Sequence, residues 1–277
     1  MSKSRLDTAL VSRGLFKTRE KARSAIMAGN IRVDGVREDK PGAMISPDTN
    51  LEVKGDPHPY VSRGGLKLAR ALKSFNIQIQ NRVCADIGAS TGGFTDCMLK
   101  NGAGKVYAID VGYGQLAWEL RNDSRVICME RTNIRYVTPE RIGEKIDFVA
   151  VDVSFISIAL ILPALAALIR EGGEMVCLVK PQFEAGREKV GKKGVVRDRE
   201  VHRDVLLKIC HALHAREFEV MGLDHSPIRG PEGNIEYLVF AVYKKYRDPD
   251  NRSWEDEISR VVEQAHANLK CTGQNDL

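Results

Sequence analysis

Residues 83–95 read V-C-A-D-I-G-A-S-T-G-G-F-T, and the fold follows from them. A short apolar run ending in Asp86 reads as a buried strand. Gly88, Gly92 and Gly93 then break it, and from Phe94 the apolar spacing turns helical. Strand, glycine turn and helix in that order is how open α/β sheets build a nucleotide pocket. Glycine lets the backbone approach a ligand with no Cβ in the way, and the helix N-terminus behind it offers unpaired N–H groups. The spacing is D-x-G-x-x-x-G-G rather than the G-x-G-x-x-G of dinucleotide binders, so NAD fits poorly. A carboxylate at Asp86 would repel a pyrophosphate. It suits a ligand with a cationic amino group, such as the methionine part of S-adenosylmethionine. Asp110 ends a second strand 24 positions later, where an acid can accept both hydroxyls of a ribose. The plainer alternative is an ordinary glycine-rich turn; the second acid at a strand end favours a pocket.

Further strands are expected at residues 126–129, 146–151 and 174–179, with helical patterns between them. Such alternation indicates a parallel sheet with helices on both faces. Two last runs, 217–223 and 236–243, would close a seven-stranded sheet as its antiparallel edge. Ligands bind at the carboxyl ends of such strands, so Glu130, Arg131 and Asn133 fall where the adenine end of a cofactor would sit. The cofactor set is therefore Asp86, Gly88, Ser90, Gly92, Gly93, Phe94, Asp110, Glu130, Arg131 and Asn133. Asp152 directly follows F-V-A-V, and Lys180 directly follows M-V-C-L-V. Packing does not explain a charge placed there, because buried charges are costly. A structural salt bridge between the two is the alternative to a functional role. Lys67 lies in the first turn of a helix opened by Gly64-Gly65, and Glu236 begins the last strand.

Residues 1–55 form a separate unit. Helical patterns over 5–11 and 18–28, the second with Thr18 as N-cap, are followed by a strand at 31–33 and a turn at Asp34-Gly35. The first 32 residues hold eight basic and two acidic side chains, a net +6. A concentrated basic face on a compact module is the footprint of a phosphate backbone. Taken alone, a charge run is more simply a solvated face. Residues 56–59, with two prolines, read as a short semi-rigid linker. A second domain covers 60–246, and 247–277 reads as a polar terminal helix. Residues 184–200 hold three glycines, six basic and four acidic residues without a clear period. They read as a mobile basic loop suited to RNA phosphate, a disordered connector being the alternative.

D-I-G-A-S-T-G-G-F, A-I-D-V-G-Y-G-Q-L, V-D-V-S-F and L-V-K-P-Q-F resemble the TlyA family of rRNA methyltransferases, within the FtsJ-like group of ribose 2′-O-methyltransferases. The resemblance spans roughly residues 4–244. It implies a Rossmann-like class I methyltransferase sheet that uses S-adenosylmethionine. The stretch 18–35 resembles the RNA-binding module named after ribosomal small-subunit protein four. By that resemblance Arg5, Lys17, Arg19 and Arg23 contact structured RNA; Arg63, Arg187, Lys189, Lys192 and Lys193 are the further RNA-binding candidates. Lys67, Asp152, Lys180 and Glu236 match the Lys-Asp-Lys-Glu tetrad of the FtsJ-like group. Lys180 is then the general base and Lys67 a second cation near the ribose. Asp152 holds Lys180, and Glu236 positions Lys67 or the base. The implied substrate is cytidine of ribosomal RNA in subunits or ribosomes.

The chemistry agrees with the residue types. A ribose 2′-hydroxyl is a poor nucleophile and needs a base. A lysine serves when burial or neighbouring cations favour its neutral form, while carboxylates orient it. The fourth strand ends in D-V-S-F, without the Asn/Asp-Pro-Pro-aromatic pattern of amino-group methylation. Neither the fourth nor the fifth strand ends in the Cys a cytosine-C5 mechanism needs. The 277 residues carry 43% hydrophobic side chains and a net charge of +5, enough for a sizeable core and too little to define a partner by net charge alone. No apolar run reaches the ~18–20 residues that span a bilayer, and the N-terminus lacks a signal-peptide core. Six scattered cysteines without C-x-x-C suggest reduced thiols in a cytoplasmic protein. Cys210, His211 and His214 lack a second ligand pair, so no metal is expected. Members of the family also often bear the name haemolysin, but a cytolysin needs an amphipathic or spanning segment, and none is evident. A ribosome-binding factor without catalysis is a further rival, which would not need the tetrad.

Overall fold

A computed structural model describes residues 3–16, 18–27, 29–53, 58–191, 194–245 and 253–271. The chain divides into two compact units, Met1–Arg63 and Gly64–Leu277.

In the first unit, β1 (Ser4–Arg5) leads into α1 (Leu6–Ser12), and α2 (Arg19–Met27) precedes β2 (Ile31–Val33), β3 (Val36–Arg37), β4 (Met44–Ile45) and β5 (Leu51–Val53). Thr18 Oγ1 accepts from the Lys21 amide at 3.3 Å and caps α2. Asp34 and Gly35 both take positive φ, the hairpin turn that suits strand twist. β2 pairs with β3 and β5, and β1 with β4. Leu6, Leu10, Ala22, Ile26 and Ile31 close a small core between the helices and strands.

The second unit opens with α3 (Gly64–Ser74), followed by β6 (Val83–Ile87), α4 (Gly93–Lys100), β7 (Lys105–Ile109), α5 (Trp118–Arg121), β8 (Val126–Met129), α6 (Pro139–Ile142) and β9 (Ile146–Val151). It continues with α7 (Leu162–Leu168), β10 (Ile169–Val179), α8 (Pro181–Glu184), α9 (Arg199–His214), β11 (Phe218–His225), β12 (Tyr237–Tyr243) and α10 (Glu255–Cys271). Pro163 sits in the first turn of α7, where its missing N–H costs nothing. The sheet order is β11-β12-β10-β9-β6-β7-β8. β12 runs antiparallel to both neighbours, so β11 is parallel to the rest and forms the edge. This corrects the expectation of an antiparallel edge: the last strand inserts inside the sheet, and the strand before it is pushed outward. β12 is accordingly apolar on both faces, as a strand covered on both sides must be.

Two further sequence expectations change. The terminal helix is polar on one face only. Trp254, Ile258, Val261, Val262 and Ala265 are buried in the core that includes α9 and β11. Residues 194–196, in the expected loose segment after Lys180, are anchored. Val195 and Val196 are buried, the Val196 amide donates to Asn234 Oδ1 at 3.2 Å, and Asn234 Nδ2 donates to the Gly194 carbonyl at 2.9 Å. His202 Nε2 donates to the Val196 carbonyl at 3.1 Å, which leaves Nδ1 to accept from Tyr237 Oη at 2.6 Å. Burial holds the His202 imidazolium down to about 4, so the ring is neutral and this tautomer is stable. No helix among the described residues is long and apolar enough to cross a membrane.

Val262 is fully buried where α10 docks. Val262→Asp leaves an uncompensated charge there and is expected to cost about 3 kcal/mol or more. Urea unfolding followed by far-ultraviolet circular dichroism measures it; an unchanged midpoint would mean that α10 adds nothing to the core.

Candidate active site

The glycine turn between β6 and α4 is held by main-chain bonds that lay it across the neighbouring strands. The Gly88 amide donates to the Ile109 carbonyl at 2.9 Å, and the Asp152 amide donates to the Ile87 carbonyl at 2.8 Å. Gly88 has a φ of +85°, and a Cβ there would collide with the Asp152 backbone carbonyl. Only glycine meets both demands. Asp86 is buried beneath this turn. Its Oδ2 accepts from the Thr95 amide at 2.8 Å and from Thr95 Oγ1 at 2.7 Å, while Oδ1 accepts no hydrogen bond among the described residues. Burial pushes the Asp86 carboxyl up to about 7; the Thr95 hydrogen bonds oppose the rise, and the charges of Asp152 and Asp110 add to it. A cationic group brought to Oδ1 would supply the missing partner, so the site suits an amino-acid ammonium.

Asp110, at the end of β7, receives one amide on each oxygen: Ser90 on Oδ2 at 2.8 Å and Gly112 on Oδ1 at 2.6 Å. Each oxygen keeps a lone pair for a ribose hydroxyl. Ser90 itself takes a φ of +49° to deliver its amide. Gly93 and Phe94 are buried at the start of α4, so main chain rather than the Phe94 ring is offered there. Glu130 is not free: Arg121 at 2.6 Å and the Gln115 amide at 3.1 Å both donate to Oε1. Arg121 holds that carboxyl below its usual range. Arg131 is exposed, with its guanidinium 4.2 Å from the Tyr113 ring centre, and Asn133 caps a short 3₁₀ turn through the Arg135 amide at 3.1 Å. These residues and Asp110 share one wall, tied by the Arg131 amide to the Gly112 carbonyl at 2.9 Å and the Thr132 amide to the Asp110 carbonyl at 2.8 Å.

Strand register then assembles the four charged residues. Val179 lies opposite Tyr237, so Lys180 and Glu236 leave the sheet side by side. Cys177 lies opposite Val151 on β9, and Val151 opposite Ile87 on β6, which brings Asp152 beside the glycine turn. Lys180 Nζ lies 2.5 Å from Asp152 Oδ1 and donates to Ser154 Oγ at 2.9 Å. Lys67, reaching in from α3, lies 2.5 Å from Glu236 Oε2. Both lysines are buried and Glu236 is 0% exposed. Gly230 presses on this carboxylate so closely that a Cβ there would overlap Glu236 Oε1. An Asp152–Lys180 bridge alone is what a structural pairing would also produce. Two buried lysine–carboxylate pairs side by side at the carboxyl edge, next to the glycine turn, make this cluster the candidate site.

Sequence reasoning missed three residues here. Ser154 is the second partner of Lys180. Phe155 is 90% exposed with a φ of +63°, and its ring centre lies 4.9 Å from that of Phe183. Lys180 Nζ lies 5.8 Å from the Phe183 ring centre. The V-D-V-S-F and K-P-Q-F motifs contain all three, but nothing local reveals that an aromatic stands in solvent in a left-handed conformation. Among the RNA candidates, Arg5 and Arg19 meet on one buried acid, Asp7, and Arg23 is exposed one turn further along α2. Arg63 and Arg187 are exposed, and Lys189 pairs with Asp204 at 3.1 Å. Lys17, Lys192 and Lys193 lie outside the described residues, as do residues 56 and 57 of the expected linker.

The seven-stranded order with one inserted antiparallel strand, the D-x-G turn and the acid after the second strand define an S-adenosylmethionine-dependent methyltransferase of class I, here with an RNA-binding unit ahead of it. Residues 60–243 match the FtsJ-like methyltransferase family and residues 4–51 match the S4 domain. The chain is 54% identical to Bacillus subtilis YqxC, provisionally named an rRNA methyltransferase, over 97% of this chain and 96% of that one. It is 44% identical to the 16S/23S rRNA (cytidine-2′-O)-methyltransferase TlyA of Mycobacterium tuberculosis, over 94% of this chain and 97% of that one. A solved structure from Streptococcus thermophilus, provisionally called a hemolysin, superposes with a TM-score of 0.78 at 47% identity, covering 99% of both chains. The chain belongs to the FtsJ-like methyltransferases and, within them, to the TlyA family. It is an S-adenosylmethionine-dependent RNA methyltransferase.

Because burial raises Asp86 from the ordinary range near about 4 to about 7, the folded protein binds a proton there that the unfolded chain releases. Stability therefore falls as pH rises through that window. Asp86→Asn removes the dependence: its unfolding temperature should exceed that of the parent at pH 8, the difference closing by pH 4, while cofactor affinity drops. A parallel pH profile for both proteins would overturn this assignment. Gly230→Ala should displace the Glu236 carboxylate and lower kcat by about tenfold, with the cofactor dissociation constant unchanged; calorimetry and single-turnover rates separate the two.

Proposed function

We propose that the chain transfers the methyl group of S-adenosylmethionine to the ribose 2′-hydroxyl of a cytidine in ribosomal RNA, with Lys180 as general base. The observation that carries this reading is the pair of lysine–carboxylate contacts at the sheet edge beside the glycine turn. The activity named for the M. tuberculosis relative supports the substrate class. Asp86, Ser90 and Asp110, with the α4 N-terminus, would hold the cofactor, and Glu130, Arg131 and Asn133 line the wall beyond it. When bound, the cofactor supplies an electrophilic sulfonium methyl.

The chain's own residues do the rest. Asp152 and Ser154 occupy two directions around Lys180 Nζ, leaving the third for the substrate hydroxyl. In its neutral form Lys180 accepts the hydroxyl proton as the oxygen becomes nucleophilic. Lys67, fixed by Glu236, places a second ammonium where negative charge develops on the ribose oxygen. The space that a side chain at residue 230 would fill is taken by the Glu236 carboxylate, so Gly230 leaves room for it. Phe155 presents an exposed ring face a few residues from Asp152, the geometry on which a nucleobase stacks. Arg187 and Lys189 add cations to the segment that follows Lys180, and Arg5, Arg19 and Arg23 supply the separate RNA-binding unit. An enzyme that modifies ribosomal RNA would act in the cytoplasm.

Labelled methyl transfer to purified small and large ribosomal subunits, with nucleoside analysis, tests the reading. The expected product is 2′-O-methylcytidine. Lys180→Ala should lower turnover by about 10²–10⁴ while cofactor affinity stays within about twofold. Methyl on a base, or persistent transfer by the variant, would sink it. Phe155→Ala should raise KM for the subunit and leave cofactor binding alone.

A further inference from the structure

Two of the arginines expected to meet RNA phosphate, Arg5 and Arg19, come from different elements, β1 and α2, and one buried acid joins them. Asp7 is 0% exposed. Its Oδ1 accepts from Arg5 Nε at 3.0 Å and its Oδ2 from Arg5 Nη2 at 3.1 Å, a bidentate pair. Arg19 Nη2 donates to the same Oδ2 at 2.9 Å, and the Thr8 amide completes Oδ1 at 2.9 Å. The guanidinium groups keep the carboxyl well below the usual range against the opposing effect of burial. Arg5 and Arg19 nevertheless retain 49% and 52% side-chain exposure.

Two guanidinium groups held together repel each other, and each is a long side chain that loses rotamer freedom when it meets a phosphate. A carboxylate between them offsets the repulsion and spends the ordering cost during folding. We propose that Asp7 is a positioning residue for RNA binding: it fixes Arg5 and Arg19 as one preorganised double-cation fork for backbone phosphate. The proposal rests on the reading of the first unit as RNA-binding.

Charge and positioning predict opposite signs, which makes the test sharp. Asp7→Asn raises the net charge of a basic face by one, so electrostatics alone tightens RNA binding. If Asp7 positions the arginines, the same change weakens it. Binding of the full chain to purified ribosomal subunits is measured by filter retention over a potassium chloride series. Arg5→Ala and Arg19→Ala should each weaken binding by about tenfold, and Asp7→Asn by roughly three- to tenfold with a shallower salt slope. To separate positioning from loss of folding, Asp7→Asn is added to the Arg5→Ala/Arg19→Ala pair, where it should change affinity less than about twofold. Equal or tighter binding by Asp7→Asn, with the arginine variants impaired, overturns the proposal and leaves the RNA reading standing. A further large loss in the triple variant assigns Asp7 to the fold and also overturns it. Parental binding by both arginine variants overturns the RNA reading itself, and the proposal with it.

Discussion

Burying two lysines at the mouth of a sheet is the constraint from which the rest of the catalytic unit follows. A lone buried ammonium is costly, and removing one partner of a buried pair costs about 3–5 kcal/mol. Lys180 and Lys67 therefore each need a carboxylate at contact distance, and each has one: Asp152 and Glu236. Asp152 comes from the adjacent parallel strand without difficulty. Glu236 reaches Lys180's flank only because β12 inserts between β10 and β11. The inserted antiparallel strand is thus what brings a carboxylate to Lys67 at that edge.

The same edge carries strain and unsatisfied polarity, which oppose stability. Asp86 is kept buried with one oxygen unpaired, Ser90 and Phe155 stand in left-handed conformations, and Gly88 and Gly230 leave no room for a Cβ. Such features persist only where surrounding structure over-determines them. Here a continuous core from β7 to α10 does so. The network from Val196 through His202 to Tyr237 ties the segment after Lys180 to the strand that begins beside Glu236. What looks like a loose basic loop in composition is thereby fastened to the catalytic edge.

The first unit solves a related problem at the surface. Its cations stay exposed for a polyanion, yet one buried acid gathers two of them. Net positive charge attracts RNA at long range, whereas geometry decides how many phosphates are met at once. In both units a buried carboxylate fixes the position of basic side chains.

The sequence by itself determined the strand-turn-helix at 83–95, the strand-end positions of Asp110, Asp152 and Lys180, and the small basic unit with its Thr18 cap and Asp34-Gly35 turn. These are local signals: apolar period, glycine placement and a charge following a buried run. The pairing of Asp152 with Lys180 came with the family resemblance, which left Glu236 to Lys67 or the base; the choice of Lys67 was beyond the sequence. So were the insertion of β12, the apolar face of α10, the exposure of Phe155, the anchoring of residues 194–196 and the meeting of Arg5 with Arg19 on Asp7. Each depends on contacts between residues far apart in the chain, and local periodicity carries no information about strand order. The resemblance already implied that these four charged residues act together; how they reach one edge is a matter of tertiary contact, because register across β12, β10, β9 and β6 places three of them and α3 brings in Lys67.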